Sequence, residues 1–147
     1  MKPGIKKEVI EIKLSVKATV GEVWHALTDK DELENWWGEG VTIEPKVGGV
    51  FREKWEDDEG KKQLASGKVT AVKKQKEISF TWSEKDWPKD AVTQCTFTIE
   101  ADGPKTILHL LHAGWETLPE AKRAKIMKDF KVGWGYHFDE LKEYLNF

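Results

Sequence analysis

Two short stretches carry residue types that could do chemistry: His109-Leu110-Leu111-His112, and Glu53 between Phe51 and Trp55. Two histidines three apart look like a metal pair. On a strand, however, residues three apart face opposite sides of the sheet. Leu108, Leu110 and His112 should share the inner face and His109 the outer one, which disfavours a two-histidine metal site. His112 then sits inward at a strand end, near the mouth of any cavity. Three roles fit it: a buried imidazole bonded to backbone or a carboxylate, a polar group touching a ligand, or a catalytic base. Phe51, Glu53 and Trp55 alternate against Val50, Arg52 and Lys54. If the aromatics face in, Glu53 is an inward carboxylate that needs a partner or a raised pKa. The other register would turn Arg52 and Lys54 inward. No carboxylate pair stands out, and Asp57, Asp58 and Glu59 fall in a polar turn. Cys95 reads as a small buried hydrophobe. His25 lies on a short helix and His137 beside a core stripe, both as structural or exposed groups.

No glycine-rich phosphate loop, nucleophile elbow or paired-cysteine metal motif occurs. The expectation is therefore no cofactor, no metal and no assigned catalytic residue. The sharpest signal is aromatic. Trp36, Trp37, Phe51, Trp55, Phe80, Trp82, Trp115, Phe130 and Trp134 are many bulky groups for one small domain to pack without gaps. They fill a core, or they wall a mostly apolar pocket with a few polar groups. The candidate lining is Trp36, Phe51, Glu53, Trp55, Phe80, Trp82, His112, Trp115, Met127, Phe130 and Trp134.

These residues need elements to hold them. Ile10, Ile12, Leu14 and Val16 alternate with polar residues as on a half-buried strand. Thr19-Val20-Gly21-Glu22 and Asp29-Lys30-Asp31-Glu32 have the capping-box pattern and start two short helices. Strands follow at residues 41–44, 50–56, 63–72, 77–83, 92–100 and 106–112. Gly48-Gly49 reads as a two-residue hairpin turn, residues 57–60 and 73–76 as turns, residues 84–90 as a loop, and Asp102-Gly103 as the last hairpin. Thr117-Leu118-Pro119-Glu120 repeats the capping pattern and opens a long helix to about residue 145. Its inward stripe is Met127, Phe130, Trp134, Phe138, Leu141 and Leu145. Gly133 and Gly135 flank Trp134, although each costs a helix interior about 1 kcal/mol relative to Ala. Their expected purpose is to let neighbouring backbone or rings approach the helix closely. The order predicts an α+β fold in which a bent antiparallel sheet wraps one long helix.

The chain has 147 residues, room for one domain over 1–147, with residues 1–8 expected to be loosely ordered. Charged residues make up 34% and the net charge is −2, with both signs interspersed. That predicts a soluble surface with no draw toward nucleic acid or anionic lipid. A single cysteine and the absence of an apolar leader or a long apolar run favour a cytoplasmic protein with no membrane partner.

Several segments, taken in order, resemble the activator-of-heat-shock-protein-90-ATPase homologue family of the START-like (SRPBCC, birch-pollen-allergen-like) superfamily. They are VWHALTDKDELENWW at 23–37, VGGVF at 47–51, GKVTAV at 67–72, ISFTW at 78–82, TILHLLHAGW at 106–115 and GWGYHFDELKEYL at 133–145. The resemblance implies a helix-grip fold with a cavity between the curved sheet and the C-terminal helix. It implies no one activity, because fold and function separate in such superfamilies. The leading expectation is non-covalent binding of a small hydrophobic or aromatic molecule. The alternatives are a co-chaperone-like module with a chaperone partner, and an enzyme that positions a hydrophobic substrate.

Overall fold

The computed structural model describes residues 8–146. The expected loose segment at 1–8 falls, apart from Glu8, outside the described residues. The elements run β1 (Ile10–Val16), α1 (Val20–Thr28), α2 (Lys30–Trp36), β2 (Val41–Ile43), β3 (Val50–Glu56), β4 (Lys62–Lys73), β5 (Glu77–Glu84), β6 (Thr93–Asp102), β7 (Lys105–Ala113), a 3-10 turn (Trp115–Thr117) and α3 (Glu120–Leu145). All strands pair antiparallel in the order β1-β7-β6-β5-β4-β3-β2. This is the α+β architecture that the order of elements predicts, and the helix-grip fold that the resemblance implies.

Local chemistry starts the helices. The Thr19 hydroxyl accepts the Glu22 N–H at 3.1 Å, and the Glu22 carboxylate accepts the Thr19 N–H at 2.9 Å, a complete capping box. Asp29 caps α2 by accepting from the N–H groups of Asp31 and Glu32. The Trp36 indole donates to the Ala26 carbonyl at 2.8 Å, so a buried polar atom joins α2 to α1. Val23, Leu27, Leu33, Phe97, Leu108, Leu110 and Leu141 are fully buried between these helices, the sheet and the far half of α3.

Three local readings are corrected. Thr117 does not cap α3: its hydroxyl bonds the Val92 N–H and C=O at 2.9 and 2.8 Å, and Pro119 occupies the cap position without a side-chain bond. Gly48-Gly49 is not a two-residue hairpin turn. Residues 44–49 form a longer connection in which Gly48 N–H donates to Val69 O and Gly49 O accepts from Val69 N–H. The glycine pair thereby satisfies the β4 backbone, which the two-residue reading had no means to include. Gly133 and Gly135 do not admit close neighbours. A Cβ built at either meets nothing within 4 Å. They leave space beside α3 rather than filling it.

The sheet's bend has a visible cause in β4. The β4–β5 register slips between Val69 and Ala71, a bulge that increases local twist. At Gly67 the two strands come so close that a Cβ would lie 1.8 Å from the Thr81 carbonyl oxygen. No helix among the described residues is long and apolar enough to cross a membrane.

Candidate functional site

α3 has buried side chains only in its second half. Trp134, Phe138 and Leu141 are its buried residues, and none lies before Trp134. In the first half Phe130 reaches the sheet at Trp82 and His112, and beside it lies an open groove of about 810 Å³. Its walls are Trp37 from the end of α2, Trp55 from β3, Trp82 from β5, Trp87 from the β5–β6 loop, and Ile126, Phe130 and Trp134 from α3. The rings touch in a continuous series. Trp37 stacks on Trp82 at 6.2 Å and 14°, and Trp82 meets Phe130 edge-on at 5.4 Å. Trp134 packs edge-on against both indoles, at 5.1 and 5.8 Å.

Two carboxylates enter this aromatic groove from the sheet. The register places Glu53 opposite Ala65, and Ala65 opposite Glu84. Directly opposed residues share a face, so Glu53, Ala65 and Glu84 form one row across β3, β4 and β5. The central member offers only a methyl group. The row sets on one face two carboxylates that the sequence does not single out as a pair. Trp82 donates its indole N–H to Glu84 at 3.0 Å. Burial, reinforced by repulsion from Glu84, raises Glu53 from 4.5 to about 7, with the Trp37 side chain acting in the opposite sense. Glu84 is also raised, by burial and by Asp86, against the lowering effect of its Trp82 bond. His137 lines the groove too. Burial lowers its pKa against the pull of Glu140, and its Nδ1 has no hydrogen-bond partner among the described residues.

Of the candidate lining residues, the structure brings Glu53, Trp55, Trp82, Phe130 and Trp134 to the groove. Trp36, Phe51, Phe80, His112 and Trp115 are buried behind its wall, and Met127 is half-buried against the core. His112 has its own bonding network. Nδ1 accepts the Trp134 indole N–H at 3.0 Å, so Nε2 carries the proton and donates to Thr93 Oγ1 at 2.7 Å. Thr93 passes a hydrogen bond to the Trp82 carbonyl, and Trp115 donates to the His112 carbonyl. Burial holds this imidazole neutral, with its pKa lowered from 6.5 to about 3. It is a buried imidazole, but its ring is bonded to a hydroxyl and an indole rather than to backbone or a carboxylate. His109 lies on the other face with Glu11 and Thr98.

Some lining residues were readable but not selected. The alternation of Ile78, Phe80 and Trp82 runs on to Glu84, so its inward direction was available from strand period alone. Trp87 sits in a loop of charged residues, where nothing local says what it packs against. His137 and Gly133 depend on how α3 is rolled against the sheet.

Glu53 and His112 set opposite pH dependences. Glu53 binds its proton more tightly when folded, so its contribution is present below about pH 4.5 and is lost as pH rises through about 7. His112 binds its proton less tightly when folded, so its contribution is present above about pH 6.5 and is lost as pH falls toward 3. Glu84 acts in the same sense as Glu53, and His137 in the same sense as His112. Between about pH 4.5 and 6.5 the two principal slopes, each up to about 1.4 kcal/mol per pH unit, offset one another. Glu53→Gln should uncover the histidine slope. Its stability should rise from pH 4.5 to 6.5 more steeply than the parent's, and should exceed the parent's at pH 8. Urea titrations across that range check this. Parallel curves for parent and variant would refute it.

A curved antiparallel sheet gripping a long C-terminal helix, with a groove left between them, defines the helix-grip class. The chain belongs to the Activator of Hsp90 ATPase homolog 1-like protein family, whose sequence pattern matches residues 17–146. The fold is shared with MLL2253 from Mesorhizobium loti, at TM-score 0.76 and 22% identity over 92% of this chain and 95% of that one. The Aha1 dimer from Colwellia psychrerythraea matches at TM-score 0.75 and 21% identity, over 95% and 96%. DynU16, from the dynemicin biosynthetic locus, matches at TM-score 0.75 and 23% identity over 95% of this chain, which spans 48% of that one. No curated protein matches the chain.

Proposed function

We propose that this protein binds a small apolar or aromatic molecule without covalent chemistry, in the groove between the sheet and the first half of α3. The observation that carries the reading is the groove of about 810 Å³ walled by the touching rings of Trp37, Trp82, Phe130 and Trp134. Small-molecule sites are typically concave, mostly apolar and of this size, with a few polar groups for orientation. Burying a flat ligand against these rings contributes about 25 cal/mol per Å² of apolar area removed from water.

Gly133 supplies the test, because it lines the groove and has open space where a side chain would start. Gly133→Leu should project a branched side chain into the groove and abolish binding. It should also keep or raise stability, by up to about 1 kcal/mol from helix propensity. Apolar probes that quench the parent's Trp fluorescence at micromolar concentration should fail to quench the variant. A parent that binds no member of a broad apolar library, or a variant that binds as before, would sink the reading.

The second reading is action on the Hsp90 ATPase, favoured by the family's name and by the likeness to the Colwellia Aha1 dimer. A several-fold rise in the chaperone's turnover on adding this chain would establish that reading in place of the first.

A further inference from the structure

The groove's charge is unlike that of the chain. The whole sequence balances 24 Lys and Arg against 26 Asp and Glu. The groove is lined by Glu39, Glu53, Glu84 and Asp129, with Lys54 as the one basic residue among them. Lys54 follows Glu53 along β3, so its side chain leaves from the opposite face, and it is exposed. Among the described residues, neither Glu53 nor Glu84 forms a salt bridge. Taking carboxylates partly out of water is costly unless an opposite charge accompanies them. Here the sheet register brings two of them together over Ala65, and the surrounding walls are indole and phenyl rings. Aromatic faces attract cations.

We propose that the molecule held in this groove is an organic cation, an alkyl or aryl ammonium whose charged head sits between Glu53, Glu84 and the indole faces while its apolar part lies along Phe130 and Ile126. The proposal rests on the reading of the groove as a small-molecule site and adds the ligand's charge. A fixed positive charge would supply the counter-ion that these two carboxylates lack among the described residues. His137 is a further polar residue of the lining, half-buried.

Binding should be coupled to proton release. In the unliganded groove Glu53 keeps its proton to about pH 7 because burial and Glu84 disfavour the carboxylate. The other ionisable groups around it are Glu39, before β2, Asp129 and His137 from α3, Lys54 beside it on β3, and Cys95 from β6. Asp86 acts through Glu84. Burial disfavours charge on His137 and Cys95. A cation must displace the Glu53 proton, so its affinity should rise as pH climbs through 7.

The test compares three probes by titration calorimetry on the full chain: naphthylmethyl-trimethylammonium, the neutral analogue with carbon in place of the ammonium nitrogen, and naphthoate. At pH 8 the cation should bind about tenfold or more tighter than its carbon isostere, and naphthoate most weakly. Glu53→Gln and Glu84→Gln should each weaken the cation several-fold and leave the isostere unchanged. Between pH 8 and pH 6 the parent should lose affinity for the cation, and Glu53→Gln should not. If the isostere binds as tightly as the cation, the charge assignment fails while the small-molecule reading stands. A cation preference that survives both substitutions also overturns it. Absence of binding by all three probes overturns the charge assignment and counts against the small-molecule reading as well.

Discussion

Trp134→Ala should lower the stability of this protein by about 3–5 kcal/mol, among the largest effects of any single side-chain truncation in the chain. Trp134 is 3% exposed and packs against Trp37, Trp82, Phe97 and Phe138. It lines the groove, so the void left by its removal would border it. The change would also strip His112 Nδ1 of its hydrogen-bond donor in a site where the imidazole is fully buried. Trp134→Phe separates the two effects. It keeps a ring in the aromatic series but leaves the histidine acceptor unpaired, at about 1–3 kcal/mol. Urea titration measures both. A loss under about 1 kcal/mol for the alanine variant would mean that this face of α3 does not anchor the helix.

Gly67→Ala is the second. A single methyl group ordinarily changes stability little on an exposed strand, but here it would be placed 1.8 Å from the Thr81 carbonyl oxygen and 2.5 Å from its carbon. Both contacts are with backbone, so no rotamer change relieves them. β4 and β5 would have to separate next to the bulge that bends the sheet. The expected cost is about 3 kcal/mol or more, at the upper end for overpacking. The same separation would disturb the row of Glu53, Ala65 and Glu84 and with it the groove. Thermal unfolding and the near-ultraviolet spectrum of the tryptophans should both change. A variant with the parent's melting temperature would show that the strands at Gly67 yield freely.

The elements were legible because their signals are local. Alternation in residues 10–16 and 77–83, the Thr19 and Asp29 caps, and the spacing of Trp134, Phe138 and Leu141 each depend on neighbours within a turn or two of chain. The inward direction of Glu53 was legible for the same reason, since strand period and two flanking aromatics decide it. The capping pattern at Thr117 misled because its hydroxyl is taken by Val92, which is distant in sequence. The glycines beside Trp134 misled because a residue without a side chain allows close approach and open space equally, and the sequence does not say which lies beside it.

By itself, then, the sequence determined the order of strands and helices, the helix-grip class, and the abundance of indoles that face inward. What the tertiary structure decided is which of those indoles are core and which are wall. That depends on strand register and on the separation of α3 from the sheet. Register sets Glu53 and Glu84 in one row with Ala65 between them, and it does so by joining residues 12 and 19 positions apart in the chain. Beside Gly133 there is open space, and α3 has buried side chains only from Trp134 onward. Side-chain period is a property of a few consecutive residues. The groove is a property of two surfaces failing to meet, and such a gap leaves no local pattern in either.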